Sequence, residues 1–181
     1  PSQTEIKIQW ESVIRATAYD IEVNGNLIED INGSSYVHKG LQPLTDHTYR
    51  VRAKNAGGIS DWSSSIKMKT LPYPPAEPTN VTAQPTKTSV TLNWDAVEGA
   101  DGYEIEIDGM IIENGANISY IHDGLAPYSG HTYRIRAKNL GGKGPWSNKL
   151  DVTTHPEEPE TPTNIMTTAD QNSITLTWYN V

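Results

Sequence analysis

The sequence contains no cysteine and no phenylalanine. The first absence excludes disulfide bridges, thiolate nucleophiles and cysteine-ligated zinc. It leaves the compartment open, because cytosolic proteins and many secreted bacterial ones both do without cysteine. The second absence hands the large core positions to five tryptophans and nine tyrosines, whose polar tips need partners once buried. Long apolar runs are missing as well. Hydrophobic residues make up 35% of the chain and mean hydropathy is -0.57, so no stretch approaches the roughly eighteen apolar residues of a membrane span. Positive charge is scarce: 14 Lys and Arg stand against 22 Asp and Glu, a formal net charge of -8. A polyanion such as nucleic acid is repelled over most of such a surface. The start, Pro1-Ser2-Gln3-Thr4, has neither the charged opening nor the apolar core of a signal peptide, and the chain reads as a window on a longer protein.

What is present is a repeat. Trp10, Trp94 and Trp178 are spaced by 84 residues, and so are Trp62 and Trp146. Residues 1–72 laid over 85–156 agree at 31 of 72 positions without a gap, among them Tyr19/Tyr103, His38/His122, His47/His131, Tyr49/Tyr133 and the run Arg52–Asn55 over Arg136–Asn139. A third copy begins at Thr163. Proline-rich stretches, Leu71–Pro78 and His155–Pro162, separate the copies; they cannot join a ladder and favour extended, semi-rigid linkers. A period of 84 residues is long enough for each copy to close its own core, unlike a solenoid repeat. The expected organisation is 1–72, lacking a first strand, a linker at 73–78, a complete unit at 79–156, a linker at 157–162, and the first two strands of a third unit at 163–181.

Within the complete unit, apolar residues alternate with polar ones: Val90, Leu92 and Trp94; Tyr103, Ile105 and Ile107; Tyr133, Ile135 and Ala137. Period two predicts strands with one buried face. Asn24-Gly25 and Asp108-Gly109 stand between such runs with the residue types that a tight primed hairpin turn demands. No segment carries a helical stripe. Short strands at this spacing argue for an all-β fold of tandem antiparallel sandwiches.

Here the chain resembles the fibronectin type III module, an immunoglobulin-like sandwich. In that family a Trp ends the second strand, as Trp10, Trp94 and Trp178 do. A Leu-x-Pro corner leads to a strand-opening Tyr, matched by Leu41 and Pro43 before Tyr49, and by Leu125 and Pro127 before Tyr133. The resemblance implies that the hydroxyls of Tyr49 and Tyr133 bond backbone just upstream and pin the sheets together. It sets strand A near 79–84, B near 88–95, C near 102–108, C′ near 110–114, E near 118–122, F near 131–139 and G near 146–154. The phrasing around Tyr-x-Ile-Glu and Gly-x-Pro-Trp-Ser is similar to modules in secreted or surface proteins of bacteria, carbohydrate-degrading ones in particular.

In that family C and F are neighbours, so Glu104 and Glu106 would face Arg134, Arg136 and Lys138 as a cross-strand ladder on a solvated face, a reading preferred to a basic patch for an acidic ligand. Trp62 and Trp146 would open strand G beside the ladder, a ring lying over Arg136 in cation–π contact; the rival reading is a sugar platform. Tyr128, where the first copy has Leu44, would serve one unit only. Trp62, Trp146, Tyr128 and Arg136 are therefore the candidate ligand-binding residues. His38 with His47, and His122 with His131, could approach one another, yet no third ligand stands at motif spacing. Packing of His122 at the end of strand E, bonded to the corner backbone, is the preferred reading. No nucleophile elbow, His-Glu-x-x-His or phosphate loop occurs, so no catalytic residue, metal or cofactor is expected.

The expectation is a non-catalytic spacer or scaffold in a secreted or cell-surface, bacterial protein, its partners being other domains of the parent. Two alternatives stand beside it. One is a module that binds a polysaccharide or a surface protein. The other is end-to-end self-association, the strands of 163–181 adding to the edge left open in the first unit. Neither nucleic acid nor membrane insertion is expected.

Overall fold

The structure is a computed structural model that describes residues 1–179. Every regular element among them is a strand. The first repeat holds β1 (Glu5–Gln9), β2 (Ala18–Val23), β3 (Asn26–Ile31), β4 (Ser35–Lys39), β5 (Asp46–Asn55), β6 (Gly58–Ile59) and β7 (Ile66–Lys69). The second opens with β8 (Thr82–Pro85) and continues as β9 (Ser89–Asn93), β10 (Gly102–Ile107), β11 (Met110–Gly115), β12 (Ser119–Asp123), β13 (Gly130–Asn139), β14 (Gly142–Lys143) and β15 (Leu150–Thr153). The last pair is β16 (Met166–Ala169) and β17 (Ile174–Thr177).

Each repeat splits into two antiparallel sheets. In the second these are β11-β10-β13-β14, with β15 also on β13, and β12-β9-β8. The first repeats the pattern as β3-β2-β5-β6, with β7 on β5, and β1-β4. The edge of β1 that corresponds to the β8 side of β9 has no partner among the described residues, and β16 pairs only with β17. The all-β fold class read from the sequence holds.

The period-two pattern fills the space between sheets. Val90, Leu92 and Trp94 on one sheet meet Tyr103, Ile105, Ile107, Tyr133, Ile135 and Ala137 on the other. Ile6, Ile8, Ile21, Val23, Leu41 and Tyr49 do the same in the first repeat. The hairpin turns are the primed kind: Asn24 and Gly25 sit at φ 50° and 84°, Asp108 and Gly109 at 50° and 86°, a backbone that Asn, Asp and Gly tolerate.

One expectation needs correction. Strand G begins at Leu150 rather than at residue 146. The Ser147 hydroxyl accepts the Ile135 amide at 3.0 Å while the Ser147 amide donates to the Ile135 carbonyl at 2.8 Å, so a side chain interrupts the ladder there; Ser63 and Val51 repeat the arrangement. Trp62 and Trp146 thus stand in the irregular stretch before the last strand. Trp178, whose equivalents Trp10 and Trp94 pack into sandwiches, lies just after β17 in the stretch expected to begin a third unit. It is 56% exposed, because β16 and β17 have no second sheet among the described residues to close against.

Candidate functional site

The strongest concentration of charge follows the β10–β13 pairing and its equivalent, β2–β5. Register places Glu106 opposite Arg134 and Glu104 opposite Arg136, as it places Glu22 opposite Arg50 and Asp20 opposite Arg52. Arg134 grips Glu106 with both arms, Nε to Oε1 at 2.8 Å and Nη2 to Oε2 at 2.6 Å; Arg50 holds Glu22 in the same way at 2.9 and 2.6 Å. Such forks are the stronger class of charged hydrogen bond. Each tryptophan then closes over its pair. The Trp146 ring centroid is 4.2 Å from Arg136 Cζ and 4.9 Å from Arg134 Cζ, and Trp62 stands 4.5 and 4.9 Å from Arg52 and Arg50.

This cover changes the reading of the ladder as a solvated face. Glu104 is 1% exposed and Asp20 is fully buried. Arg136 directs both Nε and Nη2 at Oε2 of Glu104; no donor meets Oε1 at a hydrogen-bonding angle, and the Lys143 ammonium 2.6 Å away holds it by charge. Burial works to raise the Glu104 carboxyl, but Lys143 and Arg136 outweigh it and hold the group below the usual carboxylate range. Asp20 follows the same logic: burial opposes, while Lys54, the Asp30 amide and Arg52 prevail. Alternation alone could not show this, since burial depends on where the Trp rings fall.

The tyrosine corner also departs from expectation. The hydroxyl of Tyr133 meets Nδ1 of His122 at 2.9 Å and that of Tyr49 meets Nδ1 of His38 at 3.0 Å, so an imidazole from the opposite sheet, and no backbone group, is the partner. His122 in turn bonds tyrosine rather than the corner backbone. The tie still runs between sheets, from β12 to β13 and from β4 to β5. Leu41 is buried and Leu125 partly so, with Pro43 and Pro127 half-buried beside them. The paired histidine rings lie edge to face at 5.2 Å in the first repeat and 5.4 Å in the second. His131 Nδ1 faces Asp108 at 2.8 Å, where the first repeat has Asn24 and His47 at 2.9 Å. Among the described residues no group of three or more His, Asp or Glu could hold a metal ion.

Of the four candidate ligand residues, the structure joins Trp146 to Arg136 and sets Tyr128 elsewhere. Tyr128 is 77% exposed in the corner loop, at φ 55°, its amide on the His155 carbonyl at 3.2 Å. Leu44 occupies the same conformation at φ 58°.

A second focus was invisible in the sequence. The Leu71 amide donates to the Ser2 carbonyl at 2.9 Å, tying the linker to the first repeat. Two residues on, the Tyr73 carbonyl accepts from Asn139 Nδ2 at 2.9 Å. A Cβ on Gly141 would stand 1.9 Å from the Pro72 carbonyl oxygen, and one on Gly144 would stand 2.3 Å from that of Pro75; only glycine admits the linker so closely. Gln3 Nε2 reaches across to the Gly141 carbonyl at 2.8 Å. The one available sequence signal was the identity of Asn55-x-Gly57-Gly58 and Asn139-x-Gly141-Gly142 at a hairpin tip.

Comparison with known proteins agrees with this architecture. The family model described as "Fibronectin type III domain" matches residues 76–153. The chain is 29% identical to the mouse "Fibronectin type III domain containing protein 3C1", covering 87% of this chain and 13% of that protein. It is 25% identical to "Exoglucanase B" of Cellulomonas fimi (98% and 18%) and 29% identical to "Chitinase A1" of Niallia circulans (80% and 22%). It therefore spans less than a quarter of each of these curated relatives. The crystal structure of the chicken CNTN1 FN1-FN3 domains superposes with a TM-score of 0.58 at 21% identity, over 85% of this chain and 64% of that one.

Proposed function

Residues 76–153 are a fibronectin type III domain, and from that premise we propose that the chain is a run of such units, 1–72, 79–156 and 163–181, joined by linkers at 73–78 and 157–162 and serving as a non-catalytic spacer in a larger secreted or cell-surface protein of bacterial origin. The observation that carries this is the joint. The chain entering the linker is bonded at Leu71 to Ser2, the linker itself at Tyr73 to Asn139, and Gln3 spans directly to Gly141. A joint with three separate bonds holds its neighbours at a set separation, which is what a spacer needs. Relatives named as an exoglucanase and a chitinase, of which the chain spans less than a quarter, support a setting outside the cell and a partnership with other domains of the parent.

Small-angle scattering combined with light scattering tests it. A monomer near the chain mass of 20.0 kDa, with an elongated profile independent of concentration, is the expected result. A profile requiring a broad spread of inter-repeat distances would overturn the spacer reading.

Two other readings each have one observation in their favour. Tyr128 stands exposed, as a ligand-stacking ring would, so Trp62, Trp146, Tyr128 and Arg136 are the residues through which a polysaccharide or a surface protein would be held. The guanidinium groups over both tryptophans oppose a flat sugar platform. Titration with cello- and chito-oligosaccharides, followed by tryptophan fluorescence, is expected to give no change. End-to-end strand addition would use the edge of β1 and the β16–β17 pair, which have no further strand partner among the described residues; a mass rising with concentration is its sign.

A further inference from the structure

The groove that receives the linker in the second repeat exists in the first as well, and no segment of the described residues lies in it. It measures about 340 Å³ and is lined by Val13, Ile14, Ala16, Asn55, Gly57 and Gly58, among others. Their equivalents, one period later, include Val97, Ala100, Asn139, Gly141 and Gly142, of which Asn139, Gly141 and Gly142 lie against Pro72–Pro74. The hairpin tip has the same shape in both copies: the Gly57 and Gly141 amides each bond the Asn side-chain oxygen at 2.8 Å, and Gly58 and Gly142 stand at φ 138° and 137°.

Three features of the empty groove point to the same occupant. Asn139 Nδ2 donates to two carbonyls, Gly99 and Tyr73, whereas Asn55 Nδ2 donates among the described residues to one, Arg15 at 3.0 Å. One hydrogen is left for an incoming carbonyl. A Cβ on Gly57 would meet only Asn55 Oδ1, at 3.2 Å, and one on Gly58 would meet nothing; the space held in the second repeat by the Pro72 carbonyl and the Pro74 ring is free. The rim is also more apolar than its counterpart. Val13, Ile14 and Ile59 are 53, 89 and 55% exposed, where the second repeat has Val97, Glu98 and Lys143.

We propose that this groove is a docking site for an extended proline-rich segment with the backbone and residue types of Leu71–Pro78, the linker of a neighbouring repeat. It supplies what such a segment needs: an apolar wall for proline rings, a free amide hydrogen for a carbonyl that proline-rich backbone leaves unbonded, and glycines that allow close approach. The match is not complete. Ser60 stands where the second repeat has Gly144, and a Cβ there crowds the fourth docked residue, so the segment departs from the path of the linker after the position of Pro74. This goes beyond the spacer reading, since it assigns a ligand chemistry to one surface.

The test is titration of the 1–181 chain, labelled with nitrogen-15, with a synthetic peptide of the sequence Leu71–Pro78. Shifts confined to the Asn55 side-chain amide, Gly57, Gly58 and Ala16 are expected. The Gly57→Ala variant is expected to bind at least tenfold more weakly while keeping the parent's fold in the peptide-free spectrum, since its Cβ meets only Asn55 Oδ1, at 3.2 Å, and that side chain need give by only a few tenths of an ångström. Absence of shifts at these residues with millimolar peptide would overturn the proposal, and so would a Gly57→Ala variant that binds as well as the parent. A chain mass that rises with concentration in the parent and not in Gly57→Ala would show instead that a second copy fills the groove, and would overturn the assignment to a neighbouring repeat's linker.

Discussion

Trp94 is 4% exposed and its equivalent Trp10 only half-buried, although each meets a tyrosine edge at nearly the same distance, 5.5 and 5.4 Å. Ile135 and Ala137 are fully buried while Val51 and Ala53 are half-buried. Ladder register, hairpin turns, fork-shaped ion pairs and Tyr–His ties are shared by the two repeats. What differs is the preceding segment: the second repeat is lined by its linker and by β8, and Pro75 and Pro78 are buried there. Among the described residues the second module's core is completed partly by chain that lies before it, and 31 identities in 72 positions do not bring equal closure.

The comparison can be broken most sharply at the tryptophans. Trp94→Ala is expected to cost the second repeat about 4 kcal/mol, and Trp10→Ala roughly half that in the first, because less of its ring leaves water on folding; urea unfolding followed by residue-resolved exchange separates the two. Next come the buried carboxylates. Arg136→Met leaves Glu104 with Lys143, which is itself half exposed, and is expected to cost about 3 kcal/mol. Arg52→Met should cost less, since Lys54 and the Asp30 amide still hold Asp20. Equal losses would show that the number of partners does not matter.

Gly141→Ala should expel the linker, broaden the scattering profile and lower the unfolding midpoint of the second repeat, against which Pro75 and Pro78 are buried, while leaving the first repeat's midpoint unchanged. Smallest is the effect of pH on the Tyr–His ties. Burial first, then the neighbouring His131, holds His122 below the ordinary histidine pKa of 6.5, with Asp108 and Asp123 opposing. Its unfolded form therefore takes up a proton first. Stability from this group is complete above that value and is lost as pH falls below it, by about 1 kcal/mol or less. Thermal midpoints measured between pH 8 and 5 should decline, and His122→Gln should flatten the decline. At the alkaline end Tyr133 is pushed up to about 12, by burial first and then by Asp108 and Tyr120, so stability falls as pH rises past 10, where an unfolded tyrosine ionises.

Much of this was legible because it is local or periodic. The 84-residue spacing of the tryptophans, the Asn-Gly and Asp-Gly turns, and the alternation that puts Glu106 opposite Arg134 need only the geometry of a strand. The partner of the Tyr133 hydroxyl was misread because the His122 ring arrives from the other sheet, at a distance that no spacing rule encodes. The joint was missed for the same reason. Asn139 and Tyr73 are 66 residues apart, and Gln3 and Gly141 are 138 apart; a glycine pair at a hairpin tip reads as turn chemistry until something is found lying against it.

The joint also decides how the chain yields under tension. Pulling on the two ends loads the Gln3–Gly141 and Asn139–Tyr73 bonds one after another, whereas a sheet shares its load across a whole ladder of backbone bonds. The joint is therefore expected to let go before either sandwich unfolds, releasing the few linker residues at roughly 3.4 Å each. Because Asn139 is still held by Gly99 and Gly141 when the linker leaves, the seat keeps its shape and the bonds reform once the load is removed. Elasticity in such a chain is then expected between the units rather than within them.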